Sequence, residues 1–178
     1  NHSEASETNE FVLISGGQKQ LMSHCPDHGC LAWIVRKNGE IVHTWEIDPD
    51  VVWGNVSLTH GFNSSQDIYA SGMHVYQNGD LLVTFQARNF YPFGLGSVKF
   101  DKDGKILWKV KNNSHHWPFV SADGLVYMPV LKPVESPFSV GSSKVKVVCE
   151  AKKIYEDFLE IYSSDGDLLD AFSVTDSF

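Results

Sequence analysis

His74-Val75-Tyr76-Gln77-Asn78-Gly79-Asp80-Leu81-Leu82-Val83 is echoed further along the chain by His115-His116-Trp117-Pro118-Phe119-Val120-Ser121-Ala122-Asp123-Gly124-Leu125-Val126-Tyr127-Met128-Pro129. Each reads as a histidine opening a strand, an Asn-Gly or Asp-Gly turn, and an apolar return strand. Both dipeptides tolerate the positive φ angles of a two-residue hairpin turn, so each predicts local antiparallel pairing. A repeated hairpin carrying a repeated histidine predicts a repeat fold with a shared site.

Turn signals recur at Asn38-Gly39, Asn78-Gly79, Asp103-Gly104, Asp123-Gly124 and Asp165-Gly166. The hairpins around them alternate between two kinds. One begins with histidine. The other runs from an apolar strand through a polar turn to an aromatic: Ala32-Trp33-Ile34-Val35 to Trp45, Ser97-Val98-Lys99-Phe100 to Trp108, and Leu159-Glu160-Ile161-Tyr162 to Phe172. Two hairpins make a four-stranded unit, which is one blade of a β-propeller. The expected fold is therefore all-β: a propeller of four-stranded antiparallel blades, of which this chain supplies about two and a half, where closed rings have about four to eight. Residues 1–10 read as a flexible amino-terminal tail, and 11–178 as the partial propeller domain. Within it, 74–86 and 97–110 are the inner and outer strands of one blade, and 130–157 is an insertion between the hairpins of the last.

The chain has 178 residues, 42% of them hydrophobic, enough for one domain with a core, and no apolar run approaches the roughly 18 residues of a membrane span. A formal charge of −8 with 14 Lys+Arg argues against a nucleic-acid surface, which relies on clustered cations. Four Asn-x-Ser triplets, at Asn1, Asn55, Asn63 and Asn112, are acceptors for N-glycosylation and favour a secreted, extracellular protein. Cys25 and Cys30 bracket a short polar loop that a local disulfide would close, leaving Cys149 free or paired with another chain. Zinc is the competing reading for His24, Cys25, His28 and Cys30, but the spacing matches no standard finger and the ligands would crowd one turn. Asp101 and Asp103 lack the later glutamate of a calcium loop, and no metal or other cofactor is expected. Trp33, Trp45, Trp53, Trp108 and Trp117 are expected to pack between blades.

The segment Gly29–Trp45 with its Val-His-Thr-Trp ending, the His74 hairpin, Asp103-Gly104-Lys105-Ile106-Leu107-Trp108, and His115-His116 followed by Asp123-Gly124 together resemble the arylsulfotransferase family. The resemblance spans roughly 11–175 and matches the amino-terminal half of such proteins. It implies a six-bladed propeller with a histidine-lined channel, and sulfuryl transfer between phenols through a sulfated histidine, without a nucleotide donor. Imidazole suits this chemistry because its neutral nitrogen is a nucleophile, while neighbouring imidazoles or guanidinium groups offset charge on the sulfate oxygens. Carried over, the resemblance gives His74 and His116 sulfate-binding or proton-transfer roles ahead of the nucleophile role, which the family draws from a later blade. His115 is the alternative to His116, since adjacent strand residues face opposite ways. Arg88 is a candidate oxyanion partner, and His60 a candidate at the channel mouth.

Each histidine also has a purely structural reading, satisfying loop carbonyls at a strand end, and His43, in an outer hairpin, is expected to be structural. The opposing functional reading is a non-catalytic secreted glycoprotein that keeps the propeller fold for adhesion, matrix or filament assembly. Under either reading a second chain, a missing carboxy-terminal half, or further copies would complete the ring, because open sheet edges recruit strands. Aryl sulfate and phenol are the small-molecule partners of the enzyme reading.

Overall fold

The computed structural model describes residues 10–16, 25–54, 67–88, 90–143 and 145–177. Its described residues form several antiparallel sheets and one short α-helix. The first sheet holds β1 (Phe11–Ser15), β2 (Ala32–Arg36) and β3 (Ile41–Trp45) in chain order. Helix α1 (Pro49–Trp53) follows, capped by Asp48, whose carboxylate accepts from the Asp50 N–H, with proline in the first turn where no donor is needed. The second sheet is a four-stranded meander of β4 (Ile68–Val75), β5 (Leu81–Ala87), β6 (Gly94–Phe100) and β7 (Ile106–Val110). The third is built from β8 (Phe119–Val120), β9 (Val126–Glu135), β12 (Lys153–Tyr162) and β13 (Leu168–Ser173), also in chain order; β10 (Phe138–Ser139) and β11 (Lys146–Val147) form a small hairpin at its tip.

All five expected hairpins are present and antiparallel. Their turn geometry differs from the two-residue expectation. In each, the glycine N–H donates to the carbonyl three residues back, as Gly79 does to Tyr76 at 3.0 Å, and only the glycine of the pair has positive φ, between 84° and 88°. Asn and Asp keep ordinary φ because the left-handed step costs a residue with a Cβ more than it costs glycine. In the two Asn-Gly hairpins the Asn side chain braces the loop instead, as where the Asp80 N–H donates to Asn78 Oδ1 at 3.1 Å; in the Asp-Gly hairpins the brace is the residue two positions earlier, Asp101, Ser121 or Ser163.

The three sheets stack face to face because β5 is apolar on both sides. Leu81, Val83, Phe85 and Ala87 are fully buried with Trp45, Trp53 and Phe100 in a core between the first and second sheets. Leu82 points the other way, into a second core with Val126, Met128, Val130 and Tyr162 of the third sheet. Period-two alternation alone places these residues on opposite faces, and each full aliphatic or aromatic burial contributes about 1.5–3 kcal/mol.

Three sequence expectations are corrected. His74 does not open a strand; it is the seventh of eight residues in β4, because Ile68–Met73 already pairs with β5. The 130–157 insertion is largely ladder: β9 and β12 pair without interruption from Tyr162↔Val126 to Lys153↔Glu135, and only the excursion beyond carries β10 and β11. Trp117 is 65% exposed and does not pack between sheets, whereas Trp108 stacks over Gly166 and donates Nε1–H to Ser164 O at 3.0 Å.

The chain passes from the second sheet to the third over a floor of small residues. A Cβ at Gly94 would lie 2.4 Å from Ser114 O and 2.5 Å from Asn113 O, and one at Gly72 would lie 2.5 Å from His116 O. Neither approach leaves room for a methyl group. Gly94→Ala should therefore cost about 3 kcal/mol or more, at or beyond the upper end of ordinary overpacking, because backbone rather than a mobile side chain must move. Urea denaturation checks this; an unchanged midpoint would show that the crossing relaxes freely.

Candidate functional site

The crossover Lys111–Pro118 is fixed at both ends of its central turn. Ser114 bridges to Val130, the His115 N–H donates to Pro129 O at 3.0 Å, and Asn113 Nδ2 donates to Leu131 O at 3.2 Å. Underneath, a fully buried hydroxyl chain runs from Thr84 Oγ1 to Ser97 Oγ at 2.9 Å and on to Ser114 Oγ at 2.8 Å. These bonds satisfy polar groups that would otherwise be stranded between two sheets.

Held this way, His115 and His116 meet a carboxylate that sequence reasoning missed. His115 Nε2 lies 3.0 Å from Asp157 Oδ1, and His115 Nδ1 contacts His116 Nδ1. The His115 ring is mostly buried and Asp157 is half exposed, and the imidazole N–H is not aligned on the carboxylate, so the contact is a close electrostatic approach that becomes an ion pair only when His115 is protonated. Burial and the neighbouring His116 lower the His115 pKa from 6.5, against an opposing pull from Asp157. His116 is exposed with φ 61°, a left-handed conformation that costs a non-glycine residue about 1–2 kcal/mol and is held here by its neighbours. Asp157 was hidden because it lies in the segment read as an insertion, and only the β9–β12 register brings it opposite Leu131, beside the crossover.

His74 lies on the same face of the second sheet as Gly72, the residue crossed by the His116 backbone, and it stacks edge-on against Tyr76 at 4.8 Å. Burial lowers the His74 pKa and, with Asp80 nearby, pushes the Tyr76 hydroxyl up to about 12. His74 and His116 are not equivalent by repeat: counted back from the turn glycines, the position matching His74 is Phe119. Arg88 is exposed in the turn after β5, its N–H donating to Asp67 O at 2.9 Å. His60, Asn1, Asn55 and Asn63 lie outside the described residues, as does His24.

A second polar cluster fastens the crossover to the third sheet. Glu160, 4% exposed, receives hydrogen bonds from Lys132 Nζ at 2.7 Å, Asn112 Nδ2 at 2.8 Å and the Tyr162 hydroxyl at 2.6 Å. Burial opposes its charge, but the bonds from Lys132, Tyr162 and Asn112 outweigh burial and hold the carboxyl below its ordinary value. Burial and Glu160 together push the Tyr162 pKa up. Asn112 Nδ2, the atom a glycan would occupy, is thus turned inward, bonding Glu160 and Tyr162 instead of facing solvent.

Cys25 and Cys30 form a disulfide with Cα atoms 5.4 Å apart, which removes both thiolates from any zinc site, and Cys149 is free. Among the described residues no group of three or more His, Cys, Asp or Glu side chains is placed to hold a metal. An open cleft of about 780 Å³ lies elsewhere, between His43, Trp45 and Asp48 on one side and Lys102–Ile106 on the other. It borders the core of the first two sheets, on the opposite face of the second sheet from the histidines. The histidine crossover, rather than the cleft, concentrates the chemistry: two imidazoles, a carboxylate and backbone strain.

No family model, no curated protein and no solved structure matches this chain.

Two outcomes are expected. In NMR titrations His115 and His74 should protonate below pH 6.5, and Asp157→Asn should lower the His115 value further by removing the opposing charge; an unchanged or raised value would mean that the carboxylate does not act on His115. Glu160, with a depressed folded pKa, contributes stability that is present above the unfolded glutamate value of about 4.3 and is lost as pH falls through the folded value. The stability gap between the wild type and Glu160→Gln should therefore narrow in acid, which urea melts at pH 7 and pH 3 would measure.

Proposed function

We propose that this chain is a partial β-propeller of an extracellular arylsulfotransferase type, and that the His115–His116 crossover handles the proton in sulfuryl transfer between phenols. The observation that carries the reading is the line Asp157, His115, His116, ending at an exposed imidazole. A carboxylate oxygen beside His115 Nε2 favours a proton on that nitrogen, since a lone pair there would face like charge. His115 Nδ1 is then an acceptor, His116 Nδ1 must be the donor, and His116 Nε2 is left with a free lone pair.

That nitrogen is suited to take the hydroxyl proton of an acceptor phenol. As the proton arrives at His116 Nε2, the Nδ1 proton passes to His115 Nδ1, so one proton enters, one moves on, and the positive charge settles on His115 facing Asp157. The lowered pKa of His115 makes this favourable only transiently, which suits a relay rather than a sink. His74 is a sulfate-side candidate, whereas Arg88 follows Ala87 at the other end of the β4–β5 ladder from His74, and the group that carries the sulfuryl moiety comes from further blades. Burial on both faces of the second sheet and the stacking of antiparallel meanders support the propeller reading. The disulfide is in keeping with secretion.

A second reading, non-catalytic assembly of a secreted glycoprotein, is favoured by one observation: the outer side of the third sheet leaves Phe119 and Phe172 exposed.

Phenyl sulfate added at millimolar concentration to the nitrogen-labelled chain should shift the imidazole resonances of His116, and His116→Ala should abolish the response at the neighbouring His115. No shift at either residue overturns the site. The chain alone should release no phenol from phenyl sulfate in the presence of an acceptor phenol; acceptor-dependent turnover by a monomer, lost in His116→Ala, would overturn the need for further blades.

A further inference from the structure

The loop that joins β5 to β6 holds two aromatic rings out of the core. Phe90 packs against the core of the first two sheets and Pro92 is buried, while Tyr91 is 66% and Phe93 51% exposed. Phe93 has φ 77°, a left-handed backbone that is unfavourable for a bulky side chain, and the loop is closed by the Ala87 N–H donating to Phe93 O at 2.9 Å. Burial of so exposed a ring offsets little of that strain.

On the third sheet the rings meet a tyrosine and, beside it, a carboxylate. Tyr91 stands edge-on to Phe93 with centroids 5.8 Å apart, and edge-on to Tyr155 at 5.1 Å. Tyr155 and Asp157 are two residues apart on β12 and therefore share a face, opposite Pro133 and Leu131 of β9. The Asp157 side chain is 59% exposed, and its contact is His115 Nε2. Because burial and His116 lower the His115 pKa, that imidazole is neutral at pH 7 and leaves the carboxylate charge uncompensated. Glu135 and Lys153, at the end of the same ladder, offset one another at 3.4 Å.

These features together select a cation that carries few hydrogen-bond donors. The face of an aromatic ring is negative and attracts a cation within about 6 Å, and an edge-on contact covers one face of one ring, so this stack leaves faces open. The chain uses the same attraction internally, where Lys99, Lys109 and Lys132 lie over Tyr76, Trp53 and Phe158. A bare ammonium or a guanidinium brings donors that all need acceptors, whereas a methylated ammonium presents its charge through apolar methyl groups, which suits ring faces beside a single free carboxylate. An anion would be repelled by Asp157 and by the net charge of −8.

We propose that Tyr91, Phe93, Tyr155 and Asp157 form a binding site for a methylated ammonium group of choline size. The site does not depend on the sulfuryl chemistry: phenyl sulfate and a cation seek opposite ends of the histidine line, His116 and Asp157, so either response can occur without the other. Because the rings are open to solvent, each contact is worth little, and the Kd is expected on the order of 1–10 mM.

Choline chloride titrated to about 50 mM into the whole isotope-labelled chain, with ionic strength held constant by sodium chloride, covers that range. The ring resonances of Tyr91 and Tyr155 should shift saturably and show nuclear Overhauser contacts to the choline methyl groups. The uncharged tert-butyl isostere of choline should bind at least about fivefold more weakly, since the attraction of ring faces and carboxylate acts on charge. Tyr91→Leu, at a position exposed enough to leave folding intact, should weaken choline about threefold or more, and Asp157→Asn should weaken choline but not the isostere. A shift that does not saturate would overturn the proposal by denying a site, and equal binding of the uncharged isostere would overturn it by leaving an apolar patch alone.

Discussion

The approach of the crossover backbone to Gly72 and Gly94 is the constraint on which the rest depends. Without side chains at those two positions, the chain leaving β7 lies directly on the second sheet, and Ser114 can reach Ser97 while pairing with Val130. One close contact therefore sets the height of the third sheet above the second, the burial of Leu82, and the placement of both crossover histidines. A methyl group at either glycine would lift the crossover and disturb all three together.

Above that floor, polar bonding does what apolar packing cannot. Hydrophobic burial brings the sheets together but tolerates sliding, whereas the Thr84–Ser97–Ser114 chain and the bonds onto Glu160 have directions and fixed partners. Glu160 binds a residue of the crossover, Asn112, to two strands of the third sheet, through Lys132 of β9 and Tyr162 of β12. The same register that buries Glu160 against the second sheet turns Asp157, three residues earlier, to the opposite face, within reach of His115. The buried cluster and the histidine line that ends at exposed His116 are thus two consequences of one strand alternation.

Much of the fold was legible in the sequence. Asn-Gly and Asp-Gly pairs located five hairpins because turn chemistry is local: a glycine N–H, a positive φ and a polar brace act within a few residues. The apolar alternation of Leu81–Phe85 and Val126–Val130 likewise announced strands with buried faces. Where the reading failed, distance along the chain was the cause. His74 was placed at a strand start because nothing local to it reveals that Ile68–Met73 pairs with β5, and 130–157 was read as an insertion because nothing local reveals that its two ends pair with one another in the β9–β12 ladder.

The sequence by itself determined the hairpins, the alternation of faces and the candidate histidines, since each follows from steric and solvation preferences of neighbouring residues. Only the tertiary structure decided that Asp157 stands beside His115, that Asn112 turns its amide nitrogen onto Glu160 and Tyr162, and that Trp117 faces solvent. Those outcomes depend on which segments meet across dozens of residues. That meeting is fixed by the fit of a backbone onto two glycines, a property of the packed sheets that no short window of sequence contains.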